Sequence, residues 1–371
     1  MSSTPYRFVL FGASGVFGRR VLNRLAALPN VEVRVVCRKK EQAIDLARPF
    51  GPAVIPLWGD VHRKEEVRSL GKGADALFHC AGPFRLLPLF PLEIALEESL
   101  HYADLGDDVT YLRKADQLIA ASLPKERIVI PGASSLPSMT SLLTRIAEQR
   151  WGRIQEINVH VFMGNRNPKG KGAIDYLIRA LRKPFQAMRG GEWTAQRTWA
   201  KHVQYESPFV SGRHLFSLIE SPDDLYLPAW FRPADTSFYV SLEFSSIHRL
   251  IGAIGLAQRF LPPSMDDFWL KFLFYGHPWV RWLGTRRGWL EVETVHPSGE
   301  LTTHFTQQLE GLVEGQRVPT FPMSLIARLL VSTGKERVRS ATRFFDLLPT
   351  DRFLEEIESE GIAYREAKVD R

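Results

Sequence analysis

The feature that most restricts this chain lies between residues 11 and 19. Tyr6–Phe11 (YRFVLF) is a short apolar run, and Gly12-Ala13-Ser14-Gly15-Val16-Phe17-Gly18 follows it directly. Arg19–Leu28 then carries Val21, Leu22 and Leu25 at helical spacing. Strand, tight glycine turn and helix in that order open a dinucleotide-binding fold. Gly12 permits the sharp exit from the strand, Gly15 leaves no side chain over a phosphate, and Gly18 lets the helix lie close to the strand. The helix start then offers free N–H groups and a positive dipole end to an anion. Residues 12 to 18 are therefore the expected pyrophosphate cradle.

The next strand, Val31–Val36, ends at Cys37-Arg38-Lys39-Lys40. An NAD-preferring fold places an acid near this point to bind the ribose hydroxyls. Arg38 and Lys39 instead suit a 2′-phosphate, so the pattern favours NADP(H) over NAD(H). Ala53–Trp58 is a third strand, followed by Gly59-Asp60-Val61 and a helix over His62–Leu70. Asp60 and Val61 lie at the expected adenine edge, with an N-cap role for Asp60 as the alternative. Asp75–Cys80 is a fourth strand closed by Ala81-Gly82-Pro83-Phe84, small residues that let a dinucleotide pass near the backbone. Glu93–Ser99 reads as a helix, Tyr102–Leu105 as a fifth strand or turn, and Arg127–Ile130 as a sixth strand before Pro131-Gly132-Ala133-Ser134-Ser135. Strands alternating with helices at this pitch imply a doubly wound parallel sheet.

The runs GASGVFG, CAGPF at 80–84, HYADLGDD at 101–108 and PGASSLPS at 131–138 resemble, in order and spacing, the saccharopine dehydrogenase-like reductases. Gly164-Asn165-Arg166-Asn167-Pro168-Lys169-Gly170 resembles a signature of one bacterial branch. The resemblance covers nearly the whole chain. It implies a Rossmann domain, a second α/β domain on a mixed sheet, and last helices that return to the first domain. It also implies NAD(P)-dependent chemistry at carbon–nitrogen bonds, passing through an imine. Cys80, Ala81, Gly82, Pro83 and Phe84 would line the nicotinamide ribose, with Tyr102 and Asp104 nearby. Arginines that would clamp the carboxylates of an amino-acid substrate are not evident, which speaks against saccharopine itself.

Candidate proton donors are His101, Tyr102, Asp104 and Ser135, with His101 and Tyr102 foremost, a phenol or imidazole being able to protonate a nitrogen or oxygen. A ring packed under the cofactor is the alternative for Tyr102, a loop position for His101, and a turn cap for Asp104. Ser135, Asn165 and Arg166 are candidate substrate contacts, with a plain polar turn as the alternative for residues 165–170. Tyr364 and Lys368 have the Tyr-x-x-x-Lys spacing, but beside an acidic terminal helix this reads as chance. No Gly-x-Ser-x-Gly and no metal-ligand spacing occurs.

The second half alternates at Ile157–Val161 and Ser237–Ser245, after a helix over Met139–Arg150. Leu290–Val295 and Leu301–Gln308 read as a hairpin, giving a mixed, largely antiparallel sheet. Residues 260–290 contain nine aromatics, interleaved with Lys271, Arg281, Arg286 and Arg287. Gly276 and Pro278 are expected to break any helix there. Core packing or a dimer interface, a wall for a bulky apolar substrate, and peripheral membrane contact all fit that band.

At 371 residues the chain is long enough for two domains. The expected division is 1–135 for the Rossmann domain, 136–325 for a substrate and dimerisation domain, and 326–371 for terminal helices packing back. Cys37 and Cys80 are the two cysteines, too few for a disulfide framework or a zinc site. A net charge of +7 suits solubility or an anionic ligand. The scattered basic residues carry no nucleic-acid-binding motif. With no signal peptide and no bilayer-length apolar run, the expectation is a cytoplasmic homodimer acting on a small molecule. A carbonyl or enoyl reductase of lipid-like molecules, and an NADP-binding adaptor without turnover, are the competing functions.

Overall fold

The computed structural model describes residues 4–122, 126–167, 170–280, 282–308, 317–334 and 340–369. Pro168, Lys169 and Arg281 of the motifs above lie outside the described residues. The chain forms two compact units, residues 1–138 with 319–349 and residues 139–318 with 350–371.

In the first unit β1 (Tyr6–Phe11), α1 (Val16–Ala26), β2 (Val31–Cys37), α2 (Lys40–Ala47) and β3 (Val54–Trp58) are followed by α3 (Lys64–Gly71) and β4 (Ala76–His79). Then come α4 (Phe90–Glu97), β5 (His101–Asp104), α5 (Val109–Ser122) and β6 (Val129–Ile130). The six strands are ordered β3-β2-β1-β4-β5-β6. Every pairing is parallel. This is the doubly wound order in which the sequence direction reverses between β1 and β4. β1 and β4 are central and buried on both faces, so they read as continuous apolar runs rather than alternating ones. Phe8, Leu10, Phe78 and Leu77 are fully buried there, and each contributes about 1.5–3 kcal/mol on leaving water. α1 presents Val21, Leu22 and Leu25 to the sheet, with Gly18 buried on the same face.

The second unit begins with α6 (Thr140–Trp151), β7 (Glu156–Met163), α7 (Lys171–Ala180), β8 (Pro184–Arg189) and β9 (Glu192–Arg197). It continues with β10 (His202–Tyr205), β11 (His214–Leu218), α8 (Asp223–Phe231), β12 (Asp235–Leu242) and α9 (Ser245–Ala257). α10 (Met265–Val280), β13 (Gly288–Val295) and β14 (Leu301–Gln308) follow. The chain then returns to the first unit as α11 (Phe321–Thr333) and ends in the second as α12 (Thr350–Ser359) and β15 (Ile362–Val369). Seven strands form one sheet in the order β10-β11-β12-β7-β13-β14-β15, and β8-β9 stands apart as a hairpin. Only β12 and β7 run parallel among these seven strands. The mixed, largely antiparallel sheet is as expected, and β13 and β14 form the anticipated hairpin.

Two expectations need correction. The terminal segment is not all helix: β15 pairs antiparallel with β14 from Ile362 to Val369, and so closes a sheet edge of the second unit. The second concerns α10, which runs to Val280 through Gly276 and Pro278. Its inner side is fixed by buried Leu270 and by Asp266, which takes a forked bond from Arg182 with Nη2 to Oδ1 at 2.6 Å. That anchorage outweighs the backbone bond lost at a proline placed in the last turn.

Candidate dinucleotide site

The turn after β1 is shaped by contacts that no side chain could share. Gly12 has φ +75°, and a Cβ there would lie 2.3 Å from the Ala81 backbone nitrogen. A Cβ on Gly18 would lie 2.1 Å from the Gly12 carbonyl oxygen. These two positions are glycine because the end of β4 and the first turn of α1 both press on the loop. Gly15 differs, since its nearest neighbour would be the Gly12 oxygen at 3.3 Å. It is exposed and N-caps α1 without any side-chain bond, and the first turn holds no acidic residue. The turn is closed by the Gly15 N–H donating to the Gly12 carbonyl at 3.0 Å. An uncapped helix start of this kind, at the carboxyl edge of a parallel sheet, presents backbone N–H groups in the geometry that favours an anion.

Around that turn the structure brings several of the expected residues to one edge. Arg38 and Lys39 are exposed between β2 and α2. Arg38 lines a cavity of about 470 Å³ with Trp58, Gly59, Asp60 and Arg63. Lys40 lies over the Trp58 ring, 4.9 Å from its centroid. Asp60 is not the cap of α3, whose N-cap is Arg63. Its Oδ1 instead accepts from the His62 backbone at 3.0 Å and faces His62 Nδ1 at 2.8 Å. Those bonds, and then the charges of His62 and Arg38, hold its carboxyl below the usual range. Val61 is half-buried and packs against the core of the first unit. Ala81, Gly82 and Pro83 line the end of β4, with Gly82 exposed.

Other expected contacts turn inward. Phe84 is buried against the rings of His79 and Tyr111, each centroid 5.1 Å away. Cys80 directs its thiol to Met323 Sδ on α11 at 3.5 Å. Burial, and then the Asp104 charge, push that thiol pKa up. Both cysteines are free thiols.

Asp104, at the carboxyl end of β5, has no exposed surface. Its Oδ1 accepts from the N–H groups of Gly106 and Gly132, both at 2.8 Å. Its Oδ2 accepts from the hydroxyls of Tyr102 at 2.8 Å and Tyr111 at 3.1 Å. Burial raises its pKa despite these four bonds. Asp104 therefore ties the loops after β5 and β6 together and has no oxygen left for a ribose hydroxyl.

The same geometry corrects the proton-donor expectation. Tyr102 is fully buried, and burial followed by the Asp104 charge drives its pKa far up. His101 is no loop residue. It opens β5 at the opposite edge of the sheet, and its Nδ1 accepts from the Ile128 N–H at 3.0 Å. Burial lowers its pKa to about 4. Ser135 is half-buried at the start of the turn leading to Met139. Tyr364 and Lys368 sit four residues apart on a strand, about 13 Å by strand rise, so they are not an acid–base pair.

One group at this edge carries no signal in spacing alone. Asp107 follows Asp104 by three positions and is exposed. The protein crowded around its carboxylate, and then repulsion from Asp108 and Asp104, raise its pKa to about 6. Its neighbour Asp108 is spent on capping α5, accepting from the Tyr111 N–H at 2.8 Å.

Asn165 and Arg166 belong to the second unit and serve a different end. Asn165 Nδ2 donates to the carbonyls of Val280 at 2.7 Å and Leu283 at 3.1 Å. Arg166 donates through Nε and Nη2 to the Trp282 carbonyl. Glu243 Oε2 accepts from the backbones of Asn165 at 2.7 Å and Thr285 at 2.8 Å. These side chains clamp the segment after α10 instead of pointing to a ligand. No cluster of three or more metal-ligating side chains occurs among the described residues.

Sheet order and glycine turn together define a Rossmann-type α/β protein with a second, mixed-sheet unit. No protein-family model matches the chain, and no curated protein sequence matches it. Solved structures do. Apo saccharopine dehydrogenase (L-Glu forming) from Saccharomyces cerevisiae is 13% identical, with 98% of this chain and 100% of that chain covered and a TM-score of 0.63. Homospermidine synthase from Legionella pneumophila, solved in complex with NAD, is 9% identical, with 99% and 92% covered and a TM-score of 0.61. Within its class, the chain has the saccharopine dehydrogenase-like fold.

Proposed function

We propose that this chain is a nicotinamide-dependent oxidoreductase that prefers NADP(H) and reduces an imine to an amine on a substrate with a bulky apolar part. The observation that carries the reading is the cradle at Gly12–Gly18, where a Cβ on Gly18 would meet the Gly12 carbonyl at 2.1 Å and the helix start is left uncapped. Backbone N–H groups there would hold the diphosphate. Arg38 and Lys39, exposed at the end of β2 where an acid would favour NAD, would hold the 2′-phosphate. The Ala81-Gly82-Pro83 backbone would flank the nicotinamide ribose. When bound, the nicotinamide supplies a hydride to carbon.

Imine reduction also requires a proton at nitrogen. Among the residues at the carboxyl edge of the first sheet, Asp107 suits that task best: the residue is exposed at that edge while its carboxyl is desolvated, and a pKa of about 6 leaves part of it protonated near neutrality. Asp104 would position the loop that bears it. The choice of C=N over C=O rests on the resemblance to the saccharopine dehydrogenase-like reductases and on the fold shared with the two solved proteins. The test is NADPH oxidation against amine-plus-ketone mixtures, lipid ketones and enoyl compounds. Turnover confined to amine-containing mixtures supports the reading. Turnover of ketones alone moves the assignment to a carbonyl reductase, and nucleotide binding without any turnover favours the adaptor.

A further inference from the structure

Of the six aromatic residues between Met265 and Val280, Trp269 and Phe274 are half-buried and the other four are exposed. Phe268, Phe272, Tyr275 and Trp279 recur at spacings of four, three and four, which places them within about 60° of one another around the α10 axis. All four are exposed, Tyr275 by 67% and Trp279 by 81%. Trp282 extends the stripe past the helix end and is 68% exposed. The opposite side of α10 is the one held down, by Leu270 and Asp266.

The presentation is built rather than slack. Asn165, Arg166 and Glu243 bind the backbone from Val280 to Thr285, as described above. Trp282 Nε1 donates to the Trp279 carbonyl at 2.8 Å. A partly buried polar clamp thus fixes large apolar side chains facing water, an arrangement that costs free energy unless something covers them.

Charge indicates what does. Exposed cations lie on α10 itself, at Lys271, and in the chain that flanks it, at Arg249, Arg259, Arg286 and Arg287. The one exposed acid on α10, Asp267, already pairs with Arg179 at 3.2 Å. A two-fold contact between copies would bring these cations against their own kind. An anionic lipid surface takes both features at once. Aromatic rings suit the headgroup boundary, and cations beside them pair with lipid phosphates.

We propose that α10 and its flanking loops dock this protein on an anionic lipid surface, with the Phe268–Phe272–Tyr275–Trp279 stripe entering the headgroup layer. This contact is peripheral: among the described residues no helix is long and apolar enough to cross a membrane. The proposal stands apart from the cofactor reading, since it uses none of the residues of the dinucleotide site.

Flotation of the full chain with phosphatidylcholine–phosphatidylglycerol vesicles, against phosphatidylcholine alone, tests it. The chain should float with the anionic vesicles, and F272S/W279S should lower the bound fraction by at least about tenfold. K271E/R259E should do the same and should mimic the effect of raised salt on the native chain. Both pairs are exposed, and unchanged melting temperatures will confirm that the variants fold. Equal flotation on neutral vesicles, or insensitivity to both variants, overturns the proposal. So does a dimer, seen by light scattering, that F272S/W279S splits while the native chain ignores vesicles, because the stripe would then belong to a second copy.

Discussion

The backbone N–H of Gly132 donates to Asp104 Oδ1 at 2.8 Å, and through this bond the loop after β6 is tied to the loop after β5. The same oxygen takes the Gly106 N–H, so one carboxylate sets the backbone of two adjacent strand ends where a ligand would lie. Asp104→Ala leaves two amides and two tyrosine hydroxyls without their acceptor inside the protein. Loss of such a network is expected to cost about 3–5 kcal/mol. Urea denaturation followed by circular dichroism should show it. A loss under 1 kcal/mol (roughly one net hydrogen bond) would mean that the loops are held by something else.

Arg38 and Lys39 should discriminate between the two nicotinamide nucleotides. Neither is buried, so Arg38→Ala/Lys39→Ala is expected to leave folding intact. NADPH affinity should fall by about 10–100-fold, since charge-assisted bonds are worth about 1.5–3 kcal/mol. NADH affinity should barely change. Equal losses for both nucleotides in fluorescence titrations would place the 2′-phosphate elsewhere.

Asp107 gives the proposed reaction a pH signature. A group that donates a proton must be protonated, so the rate of reduction should fall as pH rises through about 6. Asp107→Asn should remove that limb and lower kcat by about 10²–10⁴-fold while leaving NADPH affinity unchanged. A pH–rate profile with the same limb in the variant assigns the proton to another group.

In the second unit, Asp223 should make stability fall with pH. It is buried at the start of α8, its Oδ1 accepts from Thr140 Oγ1 at 2.7 Å, and its Oδ2 has no partner. Burial raises its pKa from 3.8 to about 7. A carboxyl with a raised folded pKa contributes its stability below the unfolded value and loses it as pH climbs to the folded one. Stability should therefore drop between about pH 4 and pH 7, by a few kcal/mol at most. Burial pushes its neighbour Asp224 in the same direction. Asp223→Asn should flatten the curve and melt above the native protein at pH 8, though not at pH 4. Identical pH dependence in both would contradict this.

How much of this could be read from sequence followed the range of the forces involved. The glycine turn, the alternation of strands and helices and the β13–β14 hairpin are local patterns, and they survived into the structure. Burial was harder to read. Tyr102 and His101 sit beside a functional-looking run, yet their side chains point into packing set by Tyr111, nine residues on and across a loop, and by Ile128, which leads into the next strand. Asn165 and Arg166 look like ligand contacts because they are polar and close together. Their partners at 280–285 are more than a hundred residues away and leave no trace in local spacing. Pro278 argued for a helix end, but the clamp of Asp266 by Arg182 is again a distant contact. Asp107 was hidden in plain view, because only its surroundings separate it from its capping neighbour Asp108.

Calorimetry of NADPH on the native chain and on Gly15→Ala tests the central claim most directly. Gly15 has ordinary helix-entry geometry, and an added methyl would meet only the Gly12 carbonyl, at 3.3 Å, a close contact that the carbonyl must relieve by a shift of a few tenths of an ångström, so equal melting temperatures of variant and native chain are the control for folding. If the uncapped start of α1 receives a diphosphate, that methyl stands over it, and affinity should drop by at least about tenfold, the equivalent of 1.4 kcal/mol. A native chain that binds neither NADPH nor NADH, or a variant that binds both as tightly as the native chain, would contradict the account.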